Sequence, residues 1–191
     1  MAKLIGKNKI YCAVFISGRG SNLKSIFRYS KKKSSKIILK LVVSNKLSAP
    51  GVKFAKKNKI NTQIVNYENK IEAEKEMLSL LKQNDIKLIC LAGFLKILSK
   101  NFIKNFNGKI INIHPSLLPK YKGLNTHERV IKNKESYSGC TVHFVNKRLD
   151  SGKIILQQKV KLYQLDSPKK LEKRILKIEN KLYPKAINKI L

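Results

Sequence analysis

Tryptophan is absent, cysteine occurs only three times, and 11 acidic residues face 42 lysines and arginines in a chain of 191. Each shortage closes off a class of protein. Cys12, Cys90 and Cys140 are an odd set with no Cys-x-x-Cys spacing. That argues against a disulfide framework or a structural zinc and points to a reducing, cytoplasmic setting. No apolar run approaches the ~18–20 residues of a membrane-spanning helix. The stretch Ile10–Ile16 follows Lys3, Lys7 and Lys9 and loosely mimics a signal peptide. It has no Ala-x-Ala pattern and runs into a glycine-rich turn, so it reads as a buried first strand.

Arginine is the other scarce residue. The formal charge of +31 points first to nucleic acid or an acidic membrane. Yet only Arg19, Arg28, Arg129, Arg148 and Arg174 are arginines, and the other 37 basic residues are lysines spread along the chain. Proteins that read phosphates and base edges lean on the guanidinium fork. Lys, Ile and Asn share A/T-rich codons, so compositional bias accounts for the pattern. The positive potential still draws anionic substrates.

What is present is an alternation. Continuous apolar runs at Ile10–Ile16, Ile37–Val43, Leu88–Leu91 and Lys109–Ile113, with a short one at Thr62–Val65, predict strands buried on both faces. Helical spacing follows Ser21, Pro50 and Ile71. After a stiff loop at 114–123 the pattern changes. One short helix falls within Gly123–Lys132, then two strands, Gly139–Val145 and Lys153–Val160, flank the turn Asp150-Ser151-Gly152. A last helix runs from Ser167 to about Asn188. The expected fold is α/β: a doubly wound, mostly parallel sheet with a C-terminal antiparallel strand pair and a final helix, in one domain spanning 1–191.

Three segments carry chemistry. Ser17-Gly18-Arg19-Gly20-Ser21-Asn22 joins a strand to a helix, where free amides suit a phosphate or an Asn or Ser side chain simply caps a tight turn. It is neither a dinucleotide fingerprint nor a Walker loop. Asn112 and His114, two apart at a strand end, point to the same side ahead of Pro115 and Pro119. An amide beside an imidazole suits a developing oxyanion and a proton transfer. Asp150 is one of three aspartates; near His114 it would favour the imidazolium, though alone it is ordinary turn chemistry. No metal is expected: His114, His127 and His143 lie far apart, and His127-Glu128 fails the His-Glu-x-x-His pattern at Ile131.

Together these segments resemble the phosphoribosylglycinamide formyltransferase family of purine synthesis. The resemblance rests on Ile16–Leu23, Leu91-Ala92-Gly93-Phe94, Asn112 through Tyr121, Gly123-Leu124 with Thr126-His127, Thr141–Val145, Leu149–Gly152 and Ile154-Ile155-Leu156-Gln157. It implies formyl transfer from 10-formyltetrahydrofolate, as co-substrate, to the amine of glycinamide ribonucleotide. It implies a catalytic trio of Asn112, His114 and Asp150. Gly20, Ser21 and Asn22 would hold the substrate phosphate, with Glu179 a further substrate contact. Lys70, Leu95, Lys96, Ile97 and Leu98, with Asn146, Lys147, Arg148 and Leu149, would meet the folate. The N-terminal half would then bind phosphate and the C-terminal half carry folate and catalysis. Expected partners are the two small substrates, with no specific nucleic acid and no membrane, in a monomer or homodimer. Asn125 stands where members often carry His, and Lys96 where an Arg is common. Methionyl-tRNA formyltransferase and formyltetrahydrofolate deformylase share the core but carry an extra domain, for which this chain is expected to have no room.

Overall fold

A computed structural model describes residues 9–191, in two compact units, one running to Ile110 and one spanning Ile111–Ile190. Lys3 and Lys7, part of the signal-like reading, lie outside the described residues.

The first unit is built from β1 (Ile10–Ile16), α1 (Ser21–Ser30), β2 (Ile37–Ser44), α2 (Pro50–Lys57), β3 (Asn61–Ile64), α3 (Lys70–Gln83), β4 (Ile86–Leu91) and α4 (Lys100–Asn105). Its strands run in the order β3-β2-β1-β4, all parallel. β1 is fully buried from Cys12 to Ile16, which is why its sequence shows no alternation. Cys12 and Cys90 stand 3.6 Å apart as buried free thiols. The helix starts are local chemistry. Pro50 occupies the first turn of α2. Asn69 caps α3 by accepting from the amides of Ile71 and Glu72, and Ser99 caps α4 by accepting from Phe102 N–H. α4, a single Lys-rich turn and a half with Phe102 buried, is not foreseen by the apolar pattern.

β5 (Lys109–His114) leads into the second unit, where α5 (Thr126–Lys132), β6 (Tyr137–Phe144), β7 (Ile154–Lys161) and α6 (Pro168–Ile190) follow. The expected β6–β7 pair is antiparallel, and β6 is antiparallel to β5 as well. The register sets Asn112 opposite His143 and His114 opposite Thr141. Directly opposed residues share a face, so Asn112, His114, Thr141 and His143 lie on one polar face of the β5–β6 pair. Tyr183 of α6 donates its phenol to the Ile111 carbonyl at 3.1 Å, anchoring that helix to the start of the same region.

Candidate active site

The glycine turn of the first unit is shaped by backbone contacts. Gly20 adopts φ 72°, ψ 29° as the N-cap of α1. Glycine lacks a side chain, so the anticipated Ser or Asn cap is not what closes this helix start. A Cβ at Gly20 would stand 2.7 Å from Gly51 Cα, and the Gly51 amide donates to Gly18 O at 3.1 Å. Ser17 ties the turn to the segment after β4: its hydroxyl donates to Asn45 Oδ1 at 2.6 Å and accepts from Leu95 N–H at 2.8 Å. In that segment Leu95 and Ile97 are each 66% exposed while Leu98 is buried. Lys96 lies over the Tyr67 ring at 5.5 Å, and Lys70 opens α3 in an exposed position.

The same segment is held from α3 by a buried carboxylate. Glu74 accepts from Ser99 N–H at 2.7 Å, from the Tyr67 hydroxyl at 3.0 Å and from the Ser99 hydroxyl. Burial first, then the Glu74 charge, raise the Tyr67 phenol above its ordinary value.

The second unit is where Asn112, His114 and Asp150 meet. His114 Nδ1 stands 3.3 Å from Asp150 Oδ2, with both side chains buried. The other carboxylate oxygen is 3.6 Å from His143 Nε2, and Asn112 Nδ2 approaches the same nitrogen at 3.4 Å. His143 Nδ1 lies 2.8 Å from Phe144 O and so donates to it. The four side chains form a continuous polar network.

Backbone turns aim this network. His114 Nε2 donates to Tyr121 O at 2.8 Å, and Gly123 N–H donates to Asp150 Oδ2 at 2.9 Å. Asp150 itself sits at φ 45°. Thr141 fixes the proline loop, donating to Ser116 O at 2.6 Å and accepting from Leu118 N–H and Gln157 Nε2. Behind Asp150 the Gly152 backbone presses so closely that a Cβ would meet Phe144 O at 1.6 Å.

Electrostatics correct one expectation. Burial pulls the His114 imidazole below its ordinary value, and the Tyr121 carbonyl and the Asp150 carboxylate, which both raise it, do not compensate. The carboxylate expected to favour the imidazolium is thus not the largest influence on the ring; burial is. A proton that arrives during reaction still finds an acceptor at each nitrogen. Burial pushes Asp150 up, but the contact with His143, the Gly123 amide and the two imidazoles outweigh it, so the carboxyl lies below the usual range.

The remaining expected residues fall around these features. Asn146 to Leu149 form the loop before Asp150; Asn146 accepts from Arg148 N–H at 2.9 Å and donates to Ser151 O at 3.1 Å, and Leu149 is half exposed beside an exposed Lys147. Glu179 is buried on α6, and after burial its charge helps push the Cys140 thiol up to about 12. Sequence reasoning weighed His143 only as a metal ligand. The signal that finds it is register: in an antiparallel neighbour of Asn112-x-His114, the residue opposite 112 joins the same cluster. Among the described residues no group of three or more His, Cys, Asp or Glu is arranged to hold a metal ion.

An α/β scaffold that gathers an amide, two imidazoles and a carboxylate on one strand pair and the loop beyond it has the donors and proton acceptors that group transfer of the acyl type requires. Residues 10–187 match the model of the formyl transferase family, and the chain belongs to that family. It is 41% identical over 178 residues to the phosphoribosylglycinamide formyltransferase of Haemophilus influenzae, covering 92% of this chain and 84% of that protein. It is 39% identical over 184 residues to the human trifunctional purine biosynthetic protein adenosine-3, covering 95% of this chain but spanning 18% of that longer protein. The crystal structure of the phosphoribosylglycinamide formyltransferase from Brucella melitensis superposes with a TM-score of 0.90 at 36% identity, over 95% of both chains.

Proposed function

We propose that this protein transfers the formyl group of 10-formyltetrahydrofolate to the amine of glycinamide ribonucleotide, giving formylglycinamide ribonucleotide and tetrahydrofolate in purine biosynthesis. The observation that carries the reading is the meeting of the buried His114 and Asp150 with the part-buried Asn112, through His143, in a formyl transferase chain. The amine nitrogen attacks the formyl carbon and a C–N bond forms. The carbonyl oxygen becomes an oxyanion, to which the Asn112 amide donates. The Asp150–His114 pair takes the proton released by the amine, and the imidazolium formed is stabilised by Asp150 and Tyr121 O. As the bond to N10 of the folate breaks, the pair returns that proton to N10.

Gly20, Ser21 and Asn22 offer amides at the start of α1 to the substrate phosphate, an anion favoured by the helix dipole. Glu179 contacts the nucleotide substrate. Leu95, Ile97 and Leu98 with Asn146 to Leu149 wall the folate, and Lys70 and Lys96 meet its anionic tail. The chain acts as one formyltransferase domain, N-terminal half for phosphate and C-terminal half for folate and catalysis. It works in the cytoplasm as a monomer or homodimer, on small molecules alone. Among the described residues no helix is long and apolar enough to cross a membrane.

The test is a formyl-transfer assay with the purified chain, comparing glycinamide ribonucleotide with methionyl-tRNA as acceptor. Turnover is expected on the nucleotide. Transfer confined to the tRNA, or to neither acceptor, removes this reading.

A further inference from the structure

The loop between the proline turn and α5 touches two members of the proposed trio through its backbone. Tyr121 O accepts from His114, and Gly123 N–H donates to Asp150. This loop is held in an unusual conformation. Tyr121, Gly123 and Asn125 all have positive φ, at 57°, 78° and 55°. Two of the three are not glycine, and an L-residue adopts that region at a cost. Something outside the loop must hold it. Arg129, one turn into α5, reaches back: its Nη1 donates to Lys122 O at 2.6 Å and to Leu124 O at 3.3 Å, the carbonyls alternating with the strained residues. Its guanidinium carbon also lies 5.3 Å from the centre of the Tyr121 ring. The far end of that ring is fixed separately, donating from its hydroxyl to Glu135 Oε1 at 2.8 Å and accepting from Asn133 Nδ2 at 2.9 Å.

We infer that Arg129 is a positioning residue of the reaction: by gathering the 122 and 124 carbonyls and covering Tyr121, it holds the loop that orients His114 and Asp150. Arg129 touches no reacting atom; it acts through Tyr121 O and Gly123 N–H. The inference rests on the proposed trio for its effect on turnover, while its effect on the imidazole can be read without substrate.

The groups that face His114 are Asp150 before β7, His143 on β6, and Arg129 and His127 on α5, together with the Tyr121 carbonyl. Two roles for Arg129 move the His114 titration in opposite directions. If Arg129 acted as a bare charge, its removal would raise the imidazole's affinity for a proton. If it holds the loop, its removal withdraws the Tyr121 carbonyl, a stronger influence that favours the proton, and the titration moves down.

The experiment follows the His114 imidazole by NMR against pH in the parent and in Arg129→Gln, with kcat and KM measured on the same samples. Arg129→Gln is expected to titrate at lower pH than the parent and to lose about tenfold in kcat, with KM for both substrates nearly unchanged. Arg129→Lys, whose ammonium can still donate to two carbonyls, is expected to restore most of both. A His114 titration that is unmoved or displaced upward overturns the inference, and so does parental kcat in Arg129→Gln. If Arg129→Gln does not accumulate as folded protein, Arg129→Met supplies the same readings. A parent without formyl transfer whose His114 titration falls in the variant would refute the reaction and leave the positioning role standing.

Discussion

The two regions expected to hold substrate are built from different materials. The turn of the first unit is defined by backbone: Gly20 takes a left-handed conformation against Gly51, and the amides that follow are what it offers a ligand. The cluster of the second unit is defined by side chains. Four of them, Asn112, His114, His143 and Asp150, come from two strands and a loop, and each depends on a partner for its orientation. A backbone site tolerates many side chains but no added Cβ. A side-chain site fails when any one member is cut. The comparison teaches where chemistry and shape are separately encoded, and substitutions can pull the two apart.

The widest separation is expected in the cluster. His114→Ala and Asp150→Asn should each lower kcat by about 10³-fold or more, because proton transfer and electrostatic stabilisation are lost together. KM for the nucleotide should stay near the parental value if, as proposed, the phosphate binds at the glycine turn. The measurement is steady-state kinetics with a thermal melt on each variant. Parental kcat in both would remove the distinction between the regions.

Thr141→Val comes next. It keeps the shape but removes an oxygen that serves Ser116, Leu118 and Gln157. Buried partners left unsatisfied cost about 1–3 kcal/mol, to be read by denaturant unfolding. Activity should fall with it, as the loop that follows His114 loosens. Gly20→Ala probes the other region. The strained φ and the 2.7 Å approach to Gly51 are expected to destabilise the first unit by about 1–3 kcal/mol. Here KM for the phosphate-bearing substrate should rise while kcat holds, the reverse of the His114 pattern.

The same contrast explains what the sequence made legible. The glycine turn could be read because its residues are contiguous and lie between an apolar strand and a helical pattern. Asn112 and His114 could be read because strand alternation alone puts them on one side. Their union with Asp150 is implied by the family resemblance and by no apolar pattern. It depends on β6 running antiparallel to β5 and on Asp150 adopting a left-handed conformation, and apolar runs record neither. His143 escaped for the same reason: its partner across the ladder is 31 residues away in sequence. α4 escaped because a helix this short shows no full period, although Ser99 carried a cap signal three residues before Phe102. The balance of influences on His114 is not legible in sequence, because proximity of a carboxylate is visible in a motif, whereas burial is a property of the packed chain.

The smallest effect expected concerns that protonation. A folded imidazole held below its ordinary value binds fewer protons than the unfolded one, which titrates near about 6.5. Stability therefore rises with pH through that window, is fully present above it, and is lost as pH falls below it. His127, lowered chiefly by burial, adds a slope of the same sign, so His114→Gln should flatten the dependence between about pH 7 and 5 without abolishing it. Asp150, lowered in the fold, contributes stability that disappears only at more acid pH, as its own carboxyl protonates, and so does not mask the change. Melting temperatures of parent and variant across that range test the sign. A variant whose slope equals the parent's would mean the imidazole is not held below its ordinary value by its surroundings. The second region would then share with the first a site whose electrostatics owe little to burial.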